Sequence, residues 1–218
     1  MKKSLLILCV LVGLSGVSNA TTIDYLTKLD LDGVLTTTFV GAIVEDFNDG
    51  FTWTGSGNGQ ITPAASYTPT GVPYNSTLMI RPDKTPYLSV PNPASSGIYT
   101  FTFTTDYTYF GLFWGSIDTY NTLSFWKDGS MVESYAGSVL PVPSGEYGNQ
   151  SSDRSNLYVN FYDINSGLGF DEVQLFSSQS AFEVDNLAVG APVPEPATML
   201  LFGIGILGLA GVSRRKKR

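Results

Sequence analysis

The strongest constraint on the fold is an alternation of apolar and polar residues that recurs in short stretches of the central chain. Residues 98–104 read Ile-Tyr-Thr-Phe-Thr-Phe-Thr, which places Tyr99, Phe101 and Phe103 on one side and threonines on the other. A period of two residues is typical of a β-strand with one buried face, and no long stretch shows the 3.6-residue period of a helix. The pattern therefore predicts a domain built from strands.

The other strand patterns are short and are separated by Gly, Pro, Asn and Ser. Thr122–Trp126 and Met131–Tyr135 flank an Asp128-Gly129 pair, which predicts a tight hairpin because glycine accepts positive φ. Many short strands indicate an all-β antiparallel sandwich, of the jelly-roll type. We expect Thr21–Gly33 to form a short helix or a loose lead-in, and 52–73 to form a surface loop. The remaining predicted strands are Leu35–Val44, Leu78–Ile80, Tyr87–Val90, Leu157–Tyr162, Phe170–Phe176 and Ala181–Val189.

The amino-terminal residues have the three parts of a secretory signal peptide. Two lysines follow Met1, an apolar run extends from Leu5 to Leu14, and small residues follow it up to Ala20. This order predicts export and cleavage between Ala20 and Thr21, so that residues 1–20 are removed. The apolar run is too short to span a bilayer comfortably.

The carboxyl-terminal residues combine Pro194-Glu195-Pro196, an apolar run from Ala197 to Val212 and the basic tail 213–218. An apolar run of this kind predicts a transmembrane helix, because lipid forces backbone groups to pair within the segment. The basic tail should remain cytoplasmic, which places the domain on the far side of the inner membrane. We therefore divide the chain into a signal peptide at 1–20, a β-sandwich at 21–190 and a carboxyl-terminal segment at 191–218.

That carboxyl-terminal order resembles the PEP-CTERM sorting signal of bacterial surface proteins. The resemblance implies that the secretion machinery exports the chain and that it is held transiently in the inner membrane. It also implies that an exosortase cuts near Pro194, Glu195 and Pro196 and frees the domain to the cell surface or the extracellular matrix. The alternative is a plain anchor that is never cut. Residues 109–125, 181–188 and 44–50 also resemble a family of exosortase-dependent surface proteins, and this resemblance carries no activity.

Charge and composition exclude several classes of function. Between Thr21 and Val193 there are 5 basic and 18 acidic residues, a net charge of −13, so the domain should repel nucleic acid. The chain contains no His, and Cys9 lies in the signal peptide. Acyl transfer through a Ser-His or Cys-His pair is therefore impossible. A glycosidase that uses two carboxylates stays open, but we expect a non-catalytic protein.

Acidic residues at both ends of the domain suggest a structural calcium site. Asp46 and Asp49 open the domain, Glu183 and Asp185 close it, and first and last strands often lie side by side in a sandwich. Calcium prefers several carboxylate and carbonyl oxygens. The alternative is that Asp49-Gly50 forms a turn and Asp185-Asn186 bonds to local backbone. No other cofactor is expected.

A cluster of aromatic residues suggests a surface on which a sugar stacks. The candidates for ligand contact are Trp114, Asp118, Tyr120, Asn121 and Trp126, because flat rings beside hydrogen-bonding groups suit saccharides. The alternative is that these rings fill the core or form cross-strand pairs. The sequence thus predicts an exported surface or matrix protein, or alternatively a calcium-stabilised module that binds extracellular polysaccharide.

Overall fold

A computed structural model describes residues 20–26, 36–62, 86–150, 152 and 154–191. These residues form short strands and almost no helix, with two single 3-10 turns at Gly137–Val139 and Ile164–Gly167. The strands are β1 Thr22–Leu26, β2 Ile43–Glu45, β3 Gly55–Gly57, β4 Gln60–Thr62, β5 Tyr87–Val90, β6 Gly97–Tyr107, β7 Tyr109–Gly115, β8 Asn121–Lys127, β9 Ser130–Ala136, β10 Leu157–Tyr162, β11 Phe170–Ser177 and β12 Phe182–Gly190.

The strands form two antiparallel sheets, which confirms the predicted all-β antiparallel class. The seven-stranded sheet has the order β1-β10-β7-β12-β5-β4, and β2 pairs with β12 beside β5. The five-stranded sheet has the order β3-β6-β11-β8-β9. Strand β2, which lies early in the domain, therefore lies beside the last strand, as expected from the sequence.

The two sheets pack face to face around an aromatic core. Phe110 of β7 and Phe161 of β10 each lie 5.5 Å, between ring centroids, from Phe125 of β8 in the opposite sheet. All three rings are fully buried. Edge-to-face ring pairs of this kind contribute about 1 kcal/mol beyond their buried area. The core can therefore hold the fold without disulfide bonds.

Most predicted strands are present with the expected orientation. In β6, Tyr99 and Phe101 are buried, while Thr102 is exposed. In the turn between β8 and β9, Asp128 and Gly129 have φ of 50° and 74°. Two successive positive φ angles are the mark of the tight hairpin that the Asp-Gly pair predicted.

Three expectations for the first part of the domain were wrong. Residues 22–26, expected to be helical or irregular, form β1, because Ile23 and Tyr25 alternate toward the core while β1 pairs along β10. The strand predicted at Leu35–Val44 is reduced to Ile43–Glu45, and a turn at Val40 and Gly41 precedes it. The predicted loop 52–73 contains β3 and β4. The strand predicted at Leu78–Ile80 lies outside the described residues.

The outer face of the seven-stranded sheet is covered. Tyr109 alternates with the core residue Phe110 and points outward, yet it is only 1 % exposed. The ring of Phe39 stacks on it at 4.2 Å, and the Tyr109 hydroxyl donates to Asn160 Oδ1 at 2.6 Å. On β10, the Tyr158 hydroxyl donates to the carbonyl of Asn186 at 2.9 Å. A polar layer therefore lies beneath the segment that contains Phe39.

Candidate functional site

Both ends of the folded domain lie at the same end of the sandwich. Thr22 pairs with Tyr162 at the start of β1, and Gly190 pairs with Tyr109 at the end of β12. The amide of Thr108 donates to the carbonyl of Gly190 at 3.0 Å. The chain therefore enters and leaves the domain at one end, which we call the terminal end. The predicted cleavage pair Ala20 and Thr21 lies there.

A group of polar residues lies at the opposite end of the same strands. Glu183 on β12 pairs with Gly115 on β7, and its Oε2 accepts a hydrogen bond from Ser116 Oγ at 2.8 Å. Tyr120, on the loop after β7, forms a side-chain hydrogen bond with Asp118. The loop is tied down by the amide of Ile117, which donates to the Ser155 carbonyl at 2.7 Å.

Burial changes the protonation of this group. Burial is the largest cause that raises the pKa of Glu183 to about 7, the Ser116 hydrogen bond opposes it, and the Asp118 charge raises it further. Burial also raises the pKa of Asp118, against the lowering effect of Tyr120. The pKa of Tyr120 is raised by its burial and by the Asp118 carboxylate. Glu183 therefore holds a proton near neutral pH, which is one property of a general acid.

The five residues predicted to contact a ligand do not form one surface. Trp114 is fully buried, and its ring stacks on Phe182 at 4.3 Å, so its indole belongs to the core. Asn121 is also buried and accepts from Ser177 Oγ at 2.7 Å. Asp118 and Tyr120 lie beside Glu183, while Trp126 lies on the outer face of the five-stranded sheet.

The four residues predicted to hold calcium lie on two adjoining segments. Asp46 Oδ1 accepts from the amide of Asn48 at 3.1 Å, and Asp185 Oδ1 accepts from the amide of Asn186 at 2.7 Å. Within the described ranges, no three acidic side chains are grouped so that they could hold a metal ion. The Asp46 bond is typical of an Asx turn, and Asp185 bonds to the backbone of the next residue. Calcium stays a prediction, which thermal unfolding with and without EGTA would test.

Sequence reasoning did not identify the most connected acidic residue, Glu45. Its side chain is fully buried at the end of β2. Oε2 accepts from the amides of Thr52 and Trp53 at 2.6 and 2.7 Å and from the Thr52 hydroxyl at 2.8 Å, while Oε1 accepts from the amide of Phe47 at 3.2 Å. The available signal was a carboxylate that directly follows the run Ala42-Ile43-Val44 and precedes a second one, Asp46.

The geometry defines a class of protein: an antiparallel two-sheet β domain whose amino and carboxyl ends leave from one end of the sandwich. Residues 192–217, which follow its last strand, match the PEP-CTERM protein-sorting motif. The chain thus carries this motif, as predicted, and the motif implies export to the cell surface. No curated protein matches the chain. The predicted membrane helix and the triplet Pro194-Glu195-Pro196 lie outside the described residues, and none of the described helices is long and apolar enough to cross a membrane.

Proposed function

We propose that this chain is a non-catalytic surface or extracellular-matrix protein that an exosortase cuts at Pro194-Glu195-Pro196 and releases from the inner membrane. The match of residues 192–217 to the sorting motif carries this proposal. The apolar run Ala197–Val212 acts as a transient membrane helix, because a bilayer requires every backbone group to be paired internally.

The position of the last strand, just before the Pro-Glu-Pro triplet, supports release of a complete domain. The last strand ends at Gly190, and only Ala191, Pro192 and Val193 separate it from the Pro-Glu-Pro triplet. Three extended residues span at most about 10 Å. While the chain is anchored, the terminal end of the sandwich is therefore held close to the membrane. A cut at the triplet removes none of the strands that the structure describes and leaves their core intact.

The order of the strands supports a jelly roll as the finer class of this sandwich. From β5 to β12 the chain forms four consecutive pairs of strands, and each pair places one strand in each sheet. In the seven-stranded sheet β5, β12, β7 and β10 are neighbours in that order, and in the five-stranded sheet β6, β11, β8 and β9 are neighbours. This is the arrangement of eight strands in two Greek keys. The strands β1, β2, β3 and β4 extend the edges of that unit.

Composition supports a role without catalysis. The chain has no His, and its one Cys precedes the domain, so the commonest general base and the thiol nucleophile are both missing. The pair Asp118 and Glu183 provides a test of the hydrolase alternative, because a glycosidase requires two carboxyl groups beside the bond that it cuts. Release of reducing sugar from a polysaccharide by the purified protein, lost in Glu183→Gln, would contradict the non-catalytic proposal.

Intact mass measurement of the secreted protein tests the sorting proposal. We expect a chain that begins at Thr21 and ends at or near the Pro-Glu-Pro triplet. Glu195→Ala should leave the uncut chain in the membrane fraction, whereas the matched control Glu146→Ala, which changes a carboxylate far from the triplet, should be processed normally. The full-length polypeptide recovered soluble in the cytosol would overturn the proposal.

A further inference from the structure

The outer face of the five-stranded sheet contains exposed residues on its described strands, among them Ile98, Thr102 and Ser134, and has an unusual composition. Its central row crosses four strands through Thr100, Gln174, Ser124 and Ser134, which pair with one another in register. The rows on either side contain Trp126 and Phe176. At a strand spacing of about 4.8 Å, the four strands make a face about 14 Å wide. Hydroxyl and amide groups therefore form a row across this face, with an aromatic residue in the row on each side.

This face has far less charge than the rest of the domain. The described ranges contain 14 carboxylates and two cations. On the four strands of this face, the central row and the row through Phe176 carry no charged side chain. Glu172 lies in the row through Trp126, and beyond that row Asp106 of β6 pairs with Lys127 of β8. The Glu172 carboxylate accepts from Gln174 Nε2 at 2.7 Å. A surface shaped for solubility alone would carry mixed charges here.

The side chains of Trp126 and Phe176 are positioned so that a ligand outside the domain can contact them. The indole Nε1 of Trp126 donates to Ser124 Oγ at 3.0 Å, which fixes the direction of the ring along the face. Trp126 and Phe176 are each partly exposed and belong to neither the buried core nor the residues packed against it. A preoriented indole loses little conformational entropy when a ligand stacks on it.

We propose that this face binds a neutral polysaccharide, and this inference rests on the proposed role in the extracellular matrix. Sugar rings present apolar faces that stack on indole and phenyl rings, and their hydroxyls exchange hydrogen bonds with Thr, Ser and Gln. An anionic polymer would meet the carboxylates of Glu172 and Asp106, and Lys127, the cation beside Trp126, is already paired with Asp106. The ligand residues are thus Trp126, Phe176, Thr100 and Gln174, with the buried Ser124 holding the indole in place. This set retains one residue, Trp126, of the surface predicted from the sequence.

Affinity electrophoresis of the secreted protein tests the proposal. The probes are native gels that contain a soluble β-glucan, an α-glucan or a mannan, with anionic alginate as a fourth gel. We expect at least one neutral gel to retard the protein and alginate to leave it unretarded. Trp126→Ala should weaken retardation at least tenfold in apparent affinity. Thr102→Glu, at an exposed position on this face, should do the same without loss of a core contact.

The control is Phe51→Ala, which removes a ring that is 41 % exposed and packs on Phe47 and Tyr99 rather than on the outer face of the five-stranded sheet. This variant should be retarded like the wild type. The proposal would be overturned if no neutral gel retarded the protein or if alginate alone did. It would also be overturned if Trp126→Ala and Thr102→Glu were both retarded as strongly as the wild type. The masses of the secreted proteins show whether sorting and cleavage are normal. A chain that is cut normally but binds no glycan would refute glycan binding by this face and leave the sorting proposal untouched.

Discussion

The carboxylate of Glu45 accepts a hydrogen bond from the backbone amide of Trp53 at 2.7 Å, which joins two residues that are eight positions apart. The same carboxylate also receives the amides of Thr52 and Phe47. One buried side chain therefore satisfies three backbone donors of the loop between β2 and β3. In turn, Trp53 packs edge-to-face on Phe101, with ring centroids 5.6 Å apart, so the loop is fixed to the core at both ends.

Loss of that carboxylate should destabilise the domain strongly. Glu45→Ala leaves three amides without their acceptor. Thr52 is exposed, so water can reach its amide, but Phe47 is buried and Trp53 is partly buried, and a buried donor without a partner costs about 1–3 kcal/mol. We expect the free energy of unfolding to fall by about 3 kcal/mol or more in urea denaturation. The control Asp46→Asn changes the next, partly exposed carboxylate and should cost less than about 1 kcal/mol. Equal losses in the two variants would contradict the role of Glu45.

Gly111 should tolerate no side chain. A methyl group at this position on β7 would overlap the Tyr109 hydroxyl and would lie 2.6 Å from the Tyr158 hydroxyl oxygen. Both hydroxyls are held by hydrogen bonds, so Gly111→Ala should cost about 1–3 kcal/mol through overpacking. Tyr158→Phe removes one of the two oxygens, and the double variant should lose less than the sum of the two single losses. Simple additivity in this double-mutant cycle would show that the contact is absent.

Glu183 should make stability depend on pH. Its pKa is raised from 4.5 to about 7 in the folded domain, first by burial, so between these values the folded state binds more protons than the unfolded state. The stabilisation is therefore complete below pH 4.5 and is lost as pH rises to about 7. The loss is at most about 3 kcal/mol. Urea titrations from pH 4 to 8 should show this decline in the wild type and a flatter curve in Glu183→Gln.

A matched carboxylate variant makes that measurement specific. Glu172→Gln, on the outer face of the five-stranded sheet, should leave the decline between pH 4.5 and 7 in place. The difference in unfolding free energy between the wild type and Glu183→Gln should change with pH over the same window. A difference that is constant from pH 4 to 8 would show that Glu183 titrates alike in the folded and unfolded chains.

Much of the fold follows from local pattern, and what the sequence could not reveal depends on distant contacts. The alternation in β6 and the Asp128-Gly129 turn are encoded within a few residues, and both were predictable. Strand β1 is held by β10, more than 130 positions away, and strand β3 is the segment Gly55-Ser56-Gly57, whose composition is typical of a loop. Its Gly57 approaches the backbone of Ile98 so closely that no Cβ would fit.

The candidate site shows the same division. Pro194-Glu195-Pro196 is a linear motif, so sequence alone was sufficient to find it. The aromatic residues were found as a cluster, but the face that each ring occupies depends on the register of β7 and β8 within different sheets. Trp114 and Trp126 therefore looked alike in the sequence, although one lies in the core and the other on an outer face.

That contrast gives the final prediction. Trp114 is fully buried against Phe182, so Trp114→Ala should lose about 3–5 kcal/mol of unfolding free energy through the cavity it leaves. Trp126 is partly exposed outside the core, and Trp126→Ala should lose less than about 1 kcal/mol. Urea denaturation of the two variants measures both values. A large loss in Trp126→Ala would mean that this ring supports the fold, and only Thr102→Glu would then report on glycan binding.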